Sequence, residues 1–131
     1  YVNTPFGIEF EYYLDGKLLG VALADKTSQS FSAIYTFYKI PDKKMSLGTF
    51  SVLKQIEYAL QYRIKNFYLG YYIAENASLV YKARFRPNEV YMDGEWRPFR
   101  NAEGDFLIPA DKLQWKNFDQ LVKATTHMEI T

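Results

Sequence analysis

The stretch from Ser46 to Pro87 decides the fold: it opens S-L-G-T-F-S-V-L-K-Q-I-E-Y-A-L-Q-Y-R, continues through N-F-Y-L-G-Y-Y at Asn66 to Tyr72, and closes Y-K-A-R-F-R-P. Phe50, Leu53, Ile56 and Leu60 recur at three- and four-residue steps. That spacing predicts an amphipathic helix over Leu47–Arg63 with these residues as its apolar stripe and Lys54, Glu57 and Gln61 turned elsewhere. Ser46 stands where an N-cap hydroxyl accepts from the first free amides, and Gly48 allows close approach of a ligand. Asn66 to Tyr72, aromatic and broken by one glycine, reads as a buried strand that something approaches closely at Gly70.

Upstream, Ile8, Phe10 and Tyr12 alternate with Glu9 and Glu11, and Asp15-Gly16 supplies a two-residue hairpin turn into Lys17–Ala24. Phe31 to Ile40 is a third, aromatic strand, ended by Pro41-Asp42-Lys43-Lys44. Downstream, Tyr72 to Val80 is irregular, and Tyr81–Phe85 and Glu89–Met92 read as strands separated by Pro87. Asp93-Gly94 is a second hairpin turn, leading into Glu95-Trp96-Arg97. From residue 100 the chain reads as a tail in which Asp111 caps a last helix, Lys112–Ala124. The order β-β-β-α-β-(α)-β-β-α predicts an α+β domain of two or three layers, with a mixed, mostly antiparallel sheet flanked by helices.

The 131 residues, 48% hydrophobic, suffice for one core and a single domain over 1–131. With 16 basic and 15 acidic residues there is no global field to recruit nucleic acid, so any basic surface is local. Cysteine is absent, which excludes disulfides, thiolate metal sites and a cysteine nucleophile in this segment. The one histidine, His127, is read as a surface residue near the chain end. No metal site is expected, no apolar run is long enough to span a bilayer, and Tyr1-Val2 in place of an initiator Met suggests an excised fragment.

Two local patterns carry chemistry. Lys43, Lys44, Ser46, Leu47, Gly48 and Thr49 lie at a strand-to-helix junction, where free amides, a glycine and flanking lysines suit phosphate; an ordinary capped helix beside solvated lysines gives the same pattern. Lys82, Arg84 and Arg86 alternate with Ala83 and Phe85, which on a strand puts three cations on one face, fit for a carboxylate or phosphates; a charged, solvated edge strand is the bland alternative. Tyr35, Tyr68, Gly70, Tyr71 and Tyr72 are pocket candidates, although tyrosines in such a pattern more often pack a sheet. Paired-carboxylate, zinc and serine-triad arrangements find no matching spacing.

The runs Ser32–Tyr38, Ser46–Thr49, Tyr68–Ile73 and Tyr81–Pro87, in that order, resemble the C-terminal part of the aminoacyl-tRNA protein transferases, a family of eukaryotic arginyltransferases and bacterial aspartate/glutamate leucyltransferases. Asp93–Arg97 leans toward the bacterial branch. The resemblance implies a fold similar to the GNAT acyltransferases and transfer of leucine or arginine from charged tRNA to an N-terminal Asp or Glu, which marks the protein for degradation by the N-degron route. Aminoacyl-tRNA is then a co-substrate, no further cofactor is implied, and the setting is cytoplasmic. The implied roles give the Lys43–Thr49 junction, Lys82 and Arg86 to tRNA phosphates and Arg84 to the acidic N-terminus. Asp25, at a strand end, is the candidate general base.

Asn76, Ser78 and Leu79 depart from the family's usual small or Cys residue followed by Lys-Met, and the family's cysteine-bearing N-terminal region is not in this chain, so activity is expected of a longer protein. An acetyl-CoA-dependent N-acetyltransferase and a non-catalytic tRNA- or peptide-binding module are the alternatives. The pyrophosphate loop of the former typically has more glycines than S-L-G-T, and retained transfer by the full-length protein separates the family reading from the latter.

Overall fold

The computed structural model describes residues 5–39, 46–77, 79–113 and 125–129. Among them, strands β1 (Gly7–Leu14), β2 (Lys17–Lys26) and β3 (Ser30–Tyr38) precede helix α1 (Leu47–Gln61) and strand β4 (Asn66–Tyr71). Strands β5 (Asn88–Met92), β6 (Glu95–Arg100) and β7 (Thr125–Glu129) follow, with 3-10 turns at Val80–Arg84 and Ala110–Leu113. The chain divides into two compact units, one built by residues up to Phe67 and one by Tyr68 to Glu129.

In the first unit β1, β2 and β3 form an antiparallel meander. Asp15 and Gly16 both take positive φ, 50° and 76°, the pairing that matches a tight turn to the twist of the strands it joins. The face of the meander that carries Phe10, Tyr12, Phe31 and Thr36 receives α1. Phe31 stacks on Phe67 at 5.2 Å, Phe10 meets Tyr58 edge-on at 5.4 Å, and Tyr12 meets Phe50 at 5.5 Å. With rings of that size supplied by the strands, little room is left for the helix, which buries Leu47, Ser51, Val52, Gln55 and Ala59.

The expected stripe is therefore displaced around the helix. Phe50, Leu53 and Leu60 are 41%, 53% and 50% exposed and Ile56 is half-buried, while Leu47, Ser51, Val52, Gln55 and Ala59 face the core. The helix also stops at Gln61, two residues before the expected Arg63, and Arg63 takes a left-handed φ of 57°.

The second unit orders its strands β4-β7-β5-β6. Its core is Tyr72, Ala83, Val90, Met92, Phe99 and Leu113, with Ile73, Ala74 and Ile108 packed against it. The β5–β6 hairpin turns at Asp93-Gly94, again with both φ positive. Two expectations fail here. Tyr81–Phe85 is not a strand: the carbonyl of Asn76 accepts from the amides of Leu79 and Val80, winding the chain into the Val80–Arg84 turn. The tail supplies a strand, β7, which pairs with β5 through Glu89↔His127 and Val90↔Thr126. The expected last helix begins in the short turn at Ala110–Leu113, and its remainder lies outside the described residues. Among the described residues no helix is long and apolar enough to cross a membrane.

Candidate functional site

At the N-terminus of α1, Ser46 occupies the N-cap position, but its hydroxyl makes no capping hydrogen bond and its backbone is left-handed, φ 46° and ψ 49°. The expected side-chain cap is therefore not made. Only the Ser46 carbonyl engages the helix, accepting from the Phe50 amide at 3.0 Å. No acidic residue stands in the first turn. Among the described residues, the first-turn amides at Leu47, Gly48 and Thr49 thus meet neither a hydroxyl cap nor a carboxylate that would compensate the positive end of the helix dipole. Lys43 and Lys44 lie outside the described residues.

One turn further along, α1 carries a buried polar cluster that the apolar-stripe reading missed. Ser51 Oγ lies 2.8 Å from the Tyr12 hydroxyl and accepts from Gln55 Nε2 at 2.9 Å, with Thr36 Oγ1 at 3.5 Å. Burial pushes the Tyr12 phenol above its ordinary value, and Ser51 and Gln55 pull it partly back. Gln55 Oε1 is buried and accepts no hydrogen bond among the described residues. Serine and glutamine on the inner face of a helix were the available signal for this cluster. Asp25, in contrast, pairs with Gly7 and Ser32 at the far end of the meander. Its neighbour Lys26 donates to the Tyr58 hydroxyl and lies 4.0 Å from the Tyr62 ring, beside the C-terminus of α1. A helix of 15 residues, about 22 Å at 1.5 Å per residue, separates that end from Ser46–Thr49, so Asp25 does not belong to the turn.

In the second unit the cations are distributed rather than aligned. Because Val80–Arg84 is a 3-10 turn, Lys82, Arg84 and Arg86 do not share a strand face. Lys82 is half-buried and its ammonium donates to the Tyr71 carbonyl at 3.0 Å. Burial lowers its pKa from 10.5 to about 8. Arg84 is exposed and unpaired among the described residues. Arg86 Nε donates to the Ala102 carbonyl at 3.2 Å.

The tyrosines separate as well. Tyr72 is a core residue, edge-on to Phe99 at 5.0 Å, and not a pocket wall. Tyr71 and Tyr35 are exposed, Tyr35 against Phe37 at 4.9 Å, and Tyr68 lies 5.8 Å from Trp96. Gly70 takes φ 93°, a conformation open to glycine, which accounts for its place inside an aromatic strand. Arg100 was missed by sequence reasoning. Its Nε donates to the Gly104 carbonyl at 2.9 Å and its Nη1 to the Ala83 carbonyl at 3.0 Å, partners that only the folded loop brings to it.

The family described as arginine-tRNA-protein transferase, C terminus, matches residues 2–92, a span that holds β1 to β5, the α1 N-terminus and the Tyr81–Pro87 motif. The chain belongs to this family. Within the arginine-tRNA-protein transferase family, it is 45% identical over 97 residues to an aspartate/glutamate leucyltransferase of Gluconobacter oxydans, which covers 72% of this chain and 40% of that protein. To the aspartate/glutamate leucyltransferase of Acinetobacter baumannii it is 32% identical over 115 residues, 82% of this chain and 42% of that protein. To that of Xanthomonas campestris pv. campestris it is 42% identical over 92 residues, 70% of this chain and 36% of that protein. The chain thus spans about two fifths of the length of these relatives.

Proposed function

We propose that this chain is the part of an aminoacyl-tRNA–protein transferase that receives the charged 3′ end of tRNA, and that the complete protein transfers leucine or arginine to proteins beginning with Asp or Glu. The observation that carries this reading is the family match over residues 2–92, which includes a helix whose first-turn amides have no side-chain cap among the described residues. The names of the relatives supply the acidic acceptor and the leucyl donor. A GNAT-like arrangement is part of the proposal: an antiparallel meander delivers the chain to a helix N-terminus, as an acyltransferase presents amides to its donor's phosphates.

In the proposed reaction the neutral α-amine of the acceptor attacks the ester carbonyl of the aminoacyl-tRNA. A C–N bond forms, the C–O bond to the ribose breaks, and the proton lost by the amine ends on the ribose oxygen. An activated ester meeting a free amine needs orientation and stabilisation of the developing oxyanion more than a nucleophile from the protein. The amides of Leu47, Gly48 and Thr49 hold terminal phosphates of the tRNA, which suits their uncompensated dipole. Arg84, exposed and unpaired among the described residues, adds positive charge on the second unit.

Gly48→Val in the full-length protein tests the role of the turn. A branched side chain over the amides should raise KM for charged tRNA or stop turnover, while the circular dichroism spectrum stays native. Unchanged kinetics in a folded variant would remove the phosphate role of this turn.

A further inference from the structure

At the open end of the β5–β6 hairpin lies a cleft of about 350 Å³, lined by Asn88 and Glu89 from β5, Pro98 and Arg100 from β6, and Asn101, Ala102 and Leu107 from the following loop. Its size falls within the range of about 300–1,000 Å³ common to small-ligand sites. Asn88 and Arg100 face each other in the strand register.

Asn88 is 3% exposed, and its Nδ2 donates to the Phe85 carbonyl at 2.8 Å and more weakly to Ala83 at 3.4 Å. Its Oδ1 accepts nothing among the described residues. A buried amide oxygen left in this state is costly unless a donor arrives from elsewhere.

Arg100 is held rigidly. Two of its N–H groups are committed to the Gly104 and Ala83 carbonyls, and its guanidinium lies 4.7 Å from the Phe106 ring. Three N–H donors of the fork remain. Arg86 comes to the same place: a Cβ built on Gly104 would lie 2.9 Å from Arg86 Nη1 and 3.5 Å from Arg100 Nη2. Gly104, with φ 99°, is what lets the loop pass between the two guanidinium groups. Neither arginine has an ion-pair partner among the described residues, whose ion pairs are Lys54–Glu57, Arg97–Asp93 and Arg97–Glu95. Two neighbouring guanidinium groups without a counter-ion among the described residues suit an oxyanion.

We propose that this cleft is the acceptor subsite, in which Arg100, with Arg86 beside it, grips the side-chain carboxylate of an N-terminal Asp or Glu while Asn88 Oδ1 accepts an N–H of the same peptide. The proposal rests on the transferase reading above and replaces Arg84 by Arg100 as the group that selects the acidic residue. A ligand with both an anionic oxygen and an N–H donor meets the remaining donors of Arg100 and the open acceptor of Asn88. A nucleic-acid phosphodiester has no N–H to offer Asn88 Oδ1, so the cleft favours the peptide.

The test begins with the unaltered chain. Its amide NMR spectrum is followed while amidated tripeptides beginning Asp, Asn or N-acetyl-Asp are added, and in a separate titration a nucleoside monophosphate. The Asp peptide should shift the amides of Asn88, Arg100 and Gly104 and bind about tenfold or more tightly than its Asn isostere, as expected for loss of a charge-assisted contact. Arg100→Lys, which keeps the charge and loses the planar fork, should abolish that preference with the fold retained. Equal affinity for Asp and Asn, shifts confined to other regions, or tighter binding of the monophosphate at the same amides would each overturn the subsite. Selective peptide binding together with no transfer by the full-length protein, from either leucyl- or arginyl-tRNA, would support the cleft and defeat the transferase reading instead.

Discussion

Replacing Lys82 by Met should stabilise the protein at neutral pH, and the gain should vanish in alkali. Its ammonium is half-buried, its one hydrogen bond among the described residues runs to the Tyr71 carbonyl, and burial lowers its pKa from 10.5 to about 8. Burial favours the neutral amine, so between pH 8 and 10.5 the unfolded chain binds more protons than the folded one and stability rises with pH. Below pH 8 the penalty is present in full. At 1.36 kcal/mol per tenfold change in proton affinity the depression corresponds to at most ~3.4 kcal/mol, and screening by solvent at a part-exposed ammonium reduces this to about 1–2 kcal/mol. Loss of the bond to Tyr71 returns about 0.5–1 kcal/mol, because that carbonyl belongs to an exposed residue and finds water. Thermal melts of both proteins at pH 7 and near pH 10.5 should show the higher Tm for Lys82→Met only at the lower pH. A variant that melts lower at pH 7, or whose advantage is the same at both pH values, would refute burial as the cause.

The inner face of α1 yields a pair of expectations: Val52→Asp should unfold the protein, whereas Leu53→Asp, on the exposed stripe, should change stability by less than about 0.5 kcal/mol, both read by urea denaturation. Ser51→Ala should cost about 1–3 kcal/mol by leaving Tyr12 and Gln55 without their shared partner, while Gln55→Met should cost less because it also removes an acceptor that is already unsatisfied. Phe31→Ala, emptying the stack on Phe67 beneath Phe10 and Tyr58, should cost about 3–5 kcal/mol in the same assay. Gly104→Val should lower Tm and displace Arg86, because it combines a left-handed backbone with a Cβ 2.9 Å from a guanidinium nitrogen.

What could be read in the sequence was what local chemistry decides. Asp15-Gly16 and Asp93-Gly94 mark the two hairpins because an Asp-Gly pair tolerates positive φ at both positions, and the structure uses both in that way. The existence of α1 and the alternation in β1 were legible for the same reason. The buried face of α1 was not, because it depends on its partner: the strands present Phe10, Tyr12 and Phe31, which meet Tyr58, Phe50 and Phe67, and the helix turns Leu47, Ser51, Val52, Gln55 and Ala59 inward.

The run Lys82–Arg86 misled because alternation of charged and apolar residues also suits a tight turn whose Ala83 and Phe85 are buried. The carbonyls that lead the chain into this turn, those of Asn76 and Leu79, lie outside the pattern. Strand β7 carries no strong signal of its own and takes its place through pairing with residues nearly forty positions earlier. Arg100 belongs to the same class, since nothing beside it in sequence announces the carbonyls of Ala83 and Gly104. Motif order was the exception. It pointed to the family before any geometry was available, and the match over residues 2–92 agrees.

The central claim is tested most directly by mass spectrometry of a peptide beginning Asp after incubation with the full-length protein and leucyl-tRNA or arginyl-tRNA. The account predicts a product heavier by one leucyl or one arginyl residue, joined at the α-amine, and no product from a peptide beginning Ala. An unmodified Asp peptide with both donors, under conditions where a known leucyltransferase modifies it, would contradict the account.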